Sequence, residues 1–177
     1  MKVLSIHGYK SDPYNSLYDA LRSNGITDIV APVMDYDTTA PGALFAMVQR
    51  LYREEQPDIV CGSSMGGYFS ALLSATTGCR ALLVNPCMTP YIILPRLGAK
   101  NEAFVREYMQ LSAHLAGLRN AYAILADQDE LIESHDFTAF LLGEGHSIYV
   151  PGGHHRGSSL PLKELIRDYG ETFFAQG

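Results

Sequence analysis

The chain has 177 residues, 47% of them hydrophobic, enough to bury one core and too few for two full domains. Lys and Arg number 13 against 19 Asp and Glu, a net charge of -6 with no extended basic run, which argues against nucleic acid as a partner. No apolar segment approaches bilayer length, and the start Met1-Lys2-Val3-Leu4-Ser5-Ile6-His7 is too short in apolar residues for a signal peptide, so the expectation is a cytoplasmic protein with no membrane partner.

Short apolar runs alternate with longer amphipathic ones from end to end. That alternation predicts a parallel sheet covered on both faces by helices, an α/β fold of three layers. The first predicted strand, Lys2 to Ile6, leads through a helix at Tyr14 to Ser23 to a second strand at Thr27 to Ala31. A helix at Gly42 to Glu54 precedes the third strand, Asp58 to Cys61, and a helix at Gly67 to Ala75 precedes the fourth, Arg80 to Val84. The pattern then breaks between Asn85 and about Leu118. Pro86, Pro90 and Pro95 forbid one long helix in the first part of this insertion. In the second, Phe104, Tyr108, Leu111, Leu115 and Leu118 recur at helical spacing, and a helix is predicted at Glu102 to Leu115. We expect residues 86–118 to form either a helix packed at the sheet edge or a small lid within a single domain spanning 1–177. The fifth strand, Ala121 to Leu125, a helix at Ser134 to Leu142, the sixth strand, Ser147 to Val150, and a helix at Pro161 to Phe174 complete the chain.

The chemistry starts at Gly62-Ser63-Ser64-Met65-Gly66-Gly67, where a G-x-S-x-G pattern follows a strand and opens a helix. This context is that of a nucleophile elbow, whose glycines leave room for a sharp turn that presents the Ser64 hydroxyl above the sheet edge. A serine hydroxyl is a weak nucleophile at neutral pH and needs a base with a carboxylate behind it. In α/β-hydrolases these follow in the order Ser, Asp or Glu, His. Asp129 is the first choice of carboxylate after the fifth strand, with Asp127 as the alternative and Glu130 as a helix-start charge. His155 is the first choice of base in Gly152-Gly153-His154-His155-Arg156, with His154 as the alternative. The main-chain N–H groups of Met65 and Tyr9 are the expected oxyanion donors. His7 reads as a hydrogen-bonding support of that loop, and His114 and His135 as surface or packing residues in helical segments. His146 with His154 and His155 forms no defined metal spacing, so neither metal nor cofactor is expected. Cys61, Cys79 and Cys87 read as reduced packing residues, with a catalytic cysteine as the sharper alternative.

Ile6-His7-Gly8-Tyr9 with Ser11 and Pro13, Gly62 to Tyr68, Asn85-Pro86 with Pro90, Leu97-Gly98, the Asp129 loop and Gly152 to Arg156 together resemble the small bacterial α/β-hydrolases of the YqiA type. That family is regarded as esterases or thioesterases. The resemblance implies the α/β-hydrolase fold without the first two strands of larger relatives, a mainly parallel six-stranded sheet in the order 2-1-3-4-5-6, with a small helical insertion after strand 4. Its Gly-Gly-x-His pattern also selects His155. Two positions depart from the family: Ala126 stands where a glycine is usual before the acidic residue, and Gly157 where an aromatic residue is favoured.

The expected activity is a serine hydrolase cleaving a small-molecule acyl ester or thioester through an acyl-Ser64 intermediate, the alternative being a noncatalytic ligand-binding protein on the same scaffold. A small core with little room for a cap suggests short to medium acyl groups, with Tyr68, Met88, Tyr91 and Ile92 as candidate pocket residues. An anionic thioester carrier would call on Arg96, Lys100 or Arg156.

Overall fold

In β1 (Lys2–Ile6) of this computed structural model, which describes residues 1–132, 134–153 and 160–174, four of the five residues are buried, as in a strand covered on both faces. Among the described residues β1 joins β2 (Asp28–Val30), β3 (Ile59–Ser63), β4 (Ala81–Val84), β5 (Ala121–Ala126) and β6 (Ser147–Val150) in one sheet. The order is β2-β1-β3-β4-β5-β6 and every neighbouring pair is parallel.

Strand periodicity divides the core in two. Val3, Ile59, Cys61, Leu82 and Val84 face a core closed by α1 (Ser16–Ser23) and α7 (Leu162–Phe174). Leu4, Ile6, Val60 and Leu83 face the other, closed by α2 (Pro41–Glu55) and α3 (Met65–Thr77). The result is the three-layer α/β-hydrolase arrangement. Because β1 and β3 are neighbours while the chain leaves β1 outward to β2, the strand order reverses between them. A crevice opens there at the carboxyl ends, the usual ligand position in such sheets.

Local chemistry accounts for the differences from the expected boundaries. The first helix begins at Ser16, not Tyr14, because the Asn15 side chain caps it, accepting the N–H of Leu17 at 2.9 Å and of Tyr18 at 3.1 Å. The third begins at Met65, two residues before the expected Gly67, so the helix starts directly behind Ser64. In the insertion, α4 (Pro90–Arg96) opens on Pro90, whose missing N–H is no loss in a first turn. The expected long helix stops as α5 (Glu102–Ser112) and continues as a 3₁₀ turn at Ala113–Gly117. Tyr108, Leu115 and Leu118 are buried against the α2–α3 core, the Tyr108 ring edge-on to Tyr68 and Phe69. The remaining helix, α6 (Asp136–Leu142), begins two residues later than expected, with His135 at its N-cap. No helix among the described residues is long and apolar enough to cross a membrane.

Candidate active site

Ser64 stands between β3 and α3 at φ 54° and ψ -120°, a left-handed conformation that a side chain rarely adopts. Such strain costs on the order of 1–3 kcal/mol and persists only when the surroundings impose it. Three main-chain bonds do so. The Ser64 N–H donates to Val84 O at 3.0 Å, and its carbonyl accepts the N–H of Cys87 at 3.0 Å and of Tyr68 at 3.2 Å. The flanking glycines are required by close approach. A Cβ at Gly66 would lie 1.9 Å from Ile6 O, and one at Gly62 would lie 2.3 Å from Gly66 O.

The loop after β1 passes directly over the serine. A Cβ on Gly8 would meet the Ser64 Cβ at 2.9 Å, so only a bare backbone fits. This brings Tyr9 to the same cavity as Ser64 and Met65. Among the described residues no protein acceptor takes the main-chain N–H of Tyr9 or of Met65. His7 braces this loop from behind. Its Nε2 accepts the Met34 N–H at 2.9 Å, so Nδ1 carries the proton and donates to Gly8 O at 2.8 Å, while the Tyr36 hydroxyl donates to His7 O. Both ring nitrogens are thus engaged away from any substrate. The Tyr9 hydroxyl donates to Asp37 Oδ1 at 2.8 Å, and that bond, ahead of partial burial, holds its phenol above the ordinary range.

Asp129 is buried at 5% exposure. Its Oδ1 accepts the N–H of Leu131 at 3.0 Å and of Ile132 at 2.9 Å, and its Oδ2 lies 3.2 Å from His135 Nε2. Asp127 is exposed and ties two loops together, its Oδ1 accepting the Gly152 N–H at 3.2 Å while Gln128 N donates to Gly152 O. The segment carrying Gly152 and Gly153 is thereby fastened to the acidic loop. His155, His154, Arg156 and Gly157 lie outside the described residues. His146 bonds through Nδ1 to Glu144 O and packs at a tilt against the Tyr122 ring.

The cavity over Ser64 measures 640 Å³, within the range of small-molecule sites. Its apolar wall is made by Ile93, Leu94 and Leu97 with Leu131, Ile132 and Leu160. The expected pocket residues Tyr68, Met88, Tyr91 and Ile92 are not part of that wall. Tyr68 is fully buried with its hydroxyl bonded to Tyr108 O and Ser112 Oγ, and Met88 is 2% exposed in the same core. Tyr91 packs against that core, while Ile92 is 44% exposed. The helix starting at Pro90 buries its 90, 93 and 94 positions, a face readable as i, i+3, i+4 once Pro90 is taken as the start, and Leu97 follows at its C-cap, lining the cavity while 37% exposed. Of the basic residues, Lys10 lines this cavity and Lys100 a second one of 290 Å³ beyond Tyr9 and Leu94.

Cys87 also lines the Ser64 cavity, but at 2% exposure burial pushes its thiol up to about 12, with the Asp129 charge adding to the shift. Burial raises Cys61 further still and Cys79 to a lesser degree. At pH 8 about one Cys87 in ten thousand is a thiolate, too few for a nucleophile. Cys61 and Cys87 of the native protein are expected to resist iodoacetamide at pH 8, and the chain to take up three equivalents once unfolded in guanidinium chloride. Rapid alkylation of native Cys87, read by peptide mass, would reverse this assignment.

A family model described as an uncharacterised protein family, UPF0227, matches residues 2–134. No curated protein matches the chain by sequence. Among solved structures the chain is similar to one from work on LipS and LipT, two metagenome-derived lipolytic enzymes, with TM-score 0.71 and 15% identity over 98% of this chain and 92% of that one. It is also similar to a protein of the α/β hydrolase superfamily from Xanthomonas campestris pv. campestris, with TM-score 0.65 and 21% identity over 99% and 100% of the two chains. A thermophilic esterase from Thermogutta terrifontis superposes with TM-score 0.63 at 12% identity over 99% and 91%. At these identities the likeness establishes a shared fold.

Proposed function

Because the chain belongs to UPF0227, the YqiA-like family, and has the α/β-hydrolase fold, we propose that it is a serine hydrolase cleaving carboxylic esters or thioesters of short to medium acyl groups. The observation that carries this reading is Ser64 held at positive φ on a cavity it shares with Tyr9 and Met65, whose main-chain N–H groups have no protein acceptor among the described residues.

In this mechanism Ser64 Oγ attacks the acyl carbon as its proton passes to His155. The oxyanion that forms accepts hydrogen bonds from the Met65 and Tyr9 N–H groups, since such a reaction needs its donors preorganised where charge develops. The bond to the leaving alcohol or thiol breaks as His155 returns the proton to it. Water then attacks the acyl-serine, with its proton again going to His155, and the acid leaves as Ser64 Oγ is reprotonated. Asp129 orients the imidazole and stabilises its charged form. The apolar wall accommodates the acyl chain, and Lys10, which lines the same cavity, offers an ammonium to an anionic carrier.

Asp129→Asn is expected to lower kcat about ten-thousandfold, the magnitude known for the aspartate of Ser-His-Asp triads. Hydrolysis of p-nitrophenyl esters measures it, and an Asp127→Asn protein with the larger defect would transfer the role to Asp127. The reading as a whole is tested by intact-mass analysis after fluorophosphonate treatment. One adduct is expected on the native chain, none on Ser64→Ala, and slowed labelling in His155→Ala. A folded native protein that takes up no adduct would instead be a binding protein on a hydrolase scaffold.

A further inference from the structure

We infer that His135 is a positioning residue that holds Asp129 in its working orientation, an inference that rests on the triad reading above. His135 is 3% exposed, and its Nε2 lies 3.2 Å from Asp129 Oδ2 with both side chains almost fully buried. A carboxylate only accepts hydrogen bonds, so the ring proton must sit on Nε2. His135 Nδ1 is then left buried with no partner among the described residues.

That orphaned nitrogen is the informative detail. If His135 served only to fill space, a leucine or phenylalanine would do so without burying an unpaired polar atom, and unsatisfied buried groups in folded proteins call for a specific explanation. What the imidazole supplies that an apolar side chain does not is one N–H aimed at Asp129. The two Asp129 oxygens are held from different elements. Oδ1 is held within its own loop by the Leu131 and Ile132 N–H groups, and Oδ2 from the start of α6. His135 is itself anchored there, its carbonyl accepting the Ala139 N–H at 2.9 Å. A carboxylate bonded at both oxygens cannot swing about its last torsion, so the direction in which it presents charge to the base is set before substrate arrives. His135 is not itself the base, because it is buried and does not line the cavity that contains Ser64.

The test is steady-state hydrolysis of p-nitrophenyl butyrate by the native protein, His135→Leu, His135→Asn and His135→Gln. His135→Leu is repeated in an Asp129→Asn background, with melting temperatures recorded for all. A Gln side chain places an amide N–H where Nε2 stood, whereas Asn is too short to reach. His135→Leu and His135→Asn are expected to lower kcat at least tenfold with KM within twofold, the effect of losing one hydrogen bond to a charged group. His135→Gln is expected to recover most of that loss. In the Asp129→Asn background His135→Leu should add nothing, because the two residues act as a unit. Native-like kcat in His135→Asn, a Gln variant no better than Asn, or additive losses would each overturn the assignment. If His135→Leu does not fold, the Asn and Gln pair decides. A native protein that neither labels with fluorophosphonate nor turns over ester sinks the serine-hydrolase reading and this one with it. Normal labelling with unaffected His135 variants sinks this inference alone.

Discussion

Ser64→Ala is expected to remove turnover, a loss of about a millionfold in kcat, which is roughly 8 kcal/mol of barrier, while the protein remains folded. Retention is expected because the main-chain bonds that fix residue 64 involve its N–H and carbonyl, not its side chain. The same position offers a second, independent readout. Ala keeps the Cβ and with it the cost of φ 54°, whereas glycine adopts that conformation freely. Ser64→Gly therefore relieves strain of about 1–3 kcal/mol, less about 0.4–1 kcal/mol for the greater freedom of the unfolded chain. It should unfold a few degrees above Ser64→Ala, since about 1 kcal/mol moves the melting temperature of a chain this size by about 2–4 °C. A Ser64→Gly protein that is inactive and more stable would mark a site where strain is retained for chemistry. Equal melting temperatures would show that the turn stores nothing, and comparable turnover by Ser64→Ala would remove the serine mechanism.

Gly66→Ala is expected to have the largest effect on stability of any methyl added at a described glycine, since its Cβ would make the shortest backbone contact among them. The new Cβ would lie 1.9 Å from Ile6 O, 2.5 Å from Ile6 C and 2.8 Å from His7 O, all main-chain atoms of a central strand and of the loop after it. No rotamer change can relieve contacts with backbone. Either α3 moves away from β1 or the elbow opens, and both disrupt the packing of a helix buried from Met65 to Ser74. Overpacking commonly costs about 1–3 kcal/mol. Here the cost should exceed about 4 kcal/mol, a large part of the total stability of an ordinary domain. Gly170→Ala in α7 is the matched control. Its Cβ would meet nothing closer than Phe174 Cδ2 at 3.6 Å, and alanine is the better helix former, so a gain of about 0.5–1 kcal/mol is expected. Denaturant unfolding of the two proteins reads both signs, and a Gly66→Ala protein as stable as Gly170→Ala would contradict the packing described for the elbow.

Much of the scaffold behind these expectations is legible without coordinates. β1 and β6 have the bounds their apolar runs suggest, and the other strands differ by one or two residues. The reason is that a buried parallel strand is a short continuous apolar segment between turn residues, a pattern contained within a few positions. The elbow is legible on the same ground, since G-x-S-x-G states a steric requirement that neighbouring residues must meet. His7 was likewise readable as a support, because it adjoins the glycine turn that it braces.

The walls and the supports were not legible to the same degree. Tyr68 is one turn past the nucleophile and looks like a pocket residue, yet it is covered by the Tyr108 segment forty residues on, which takes its hydroxyl. The cavity wall falls instead to Ile93, Leu94 and Leu97, because the rotation of α4 is set by the burial of Pro90, Ile93 and Leu94 against the core, which leaves Ile92 exposed. His135 reads as a packing residue in a helical segment, and nothing within a few positions of it announces a carboxylate partner six residues back on a different turn. The sequence by itself therefore determined the strands, the alternation that makes the sheet parallel, and the serine turn, all of which follow from local sterics and periodicity. Which side chains wall the cavity, and which imidazole meets Asp129, was decided only by tertiary packing, because a side chain's destination depends on what covers it from distant parts of the chain.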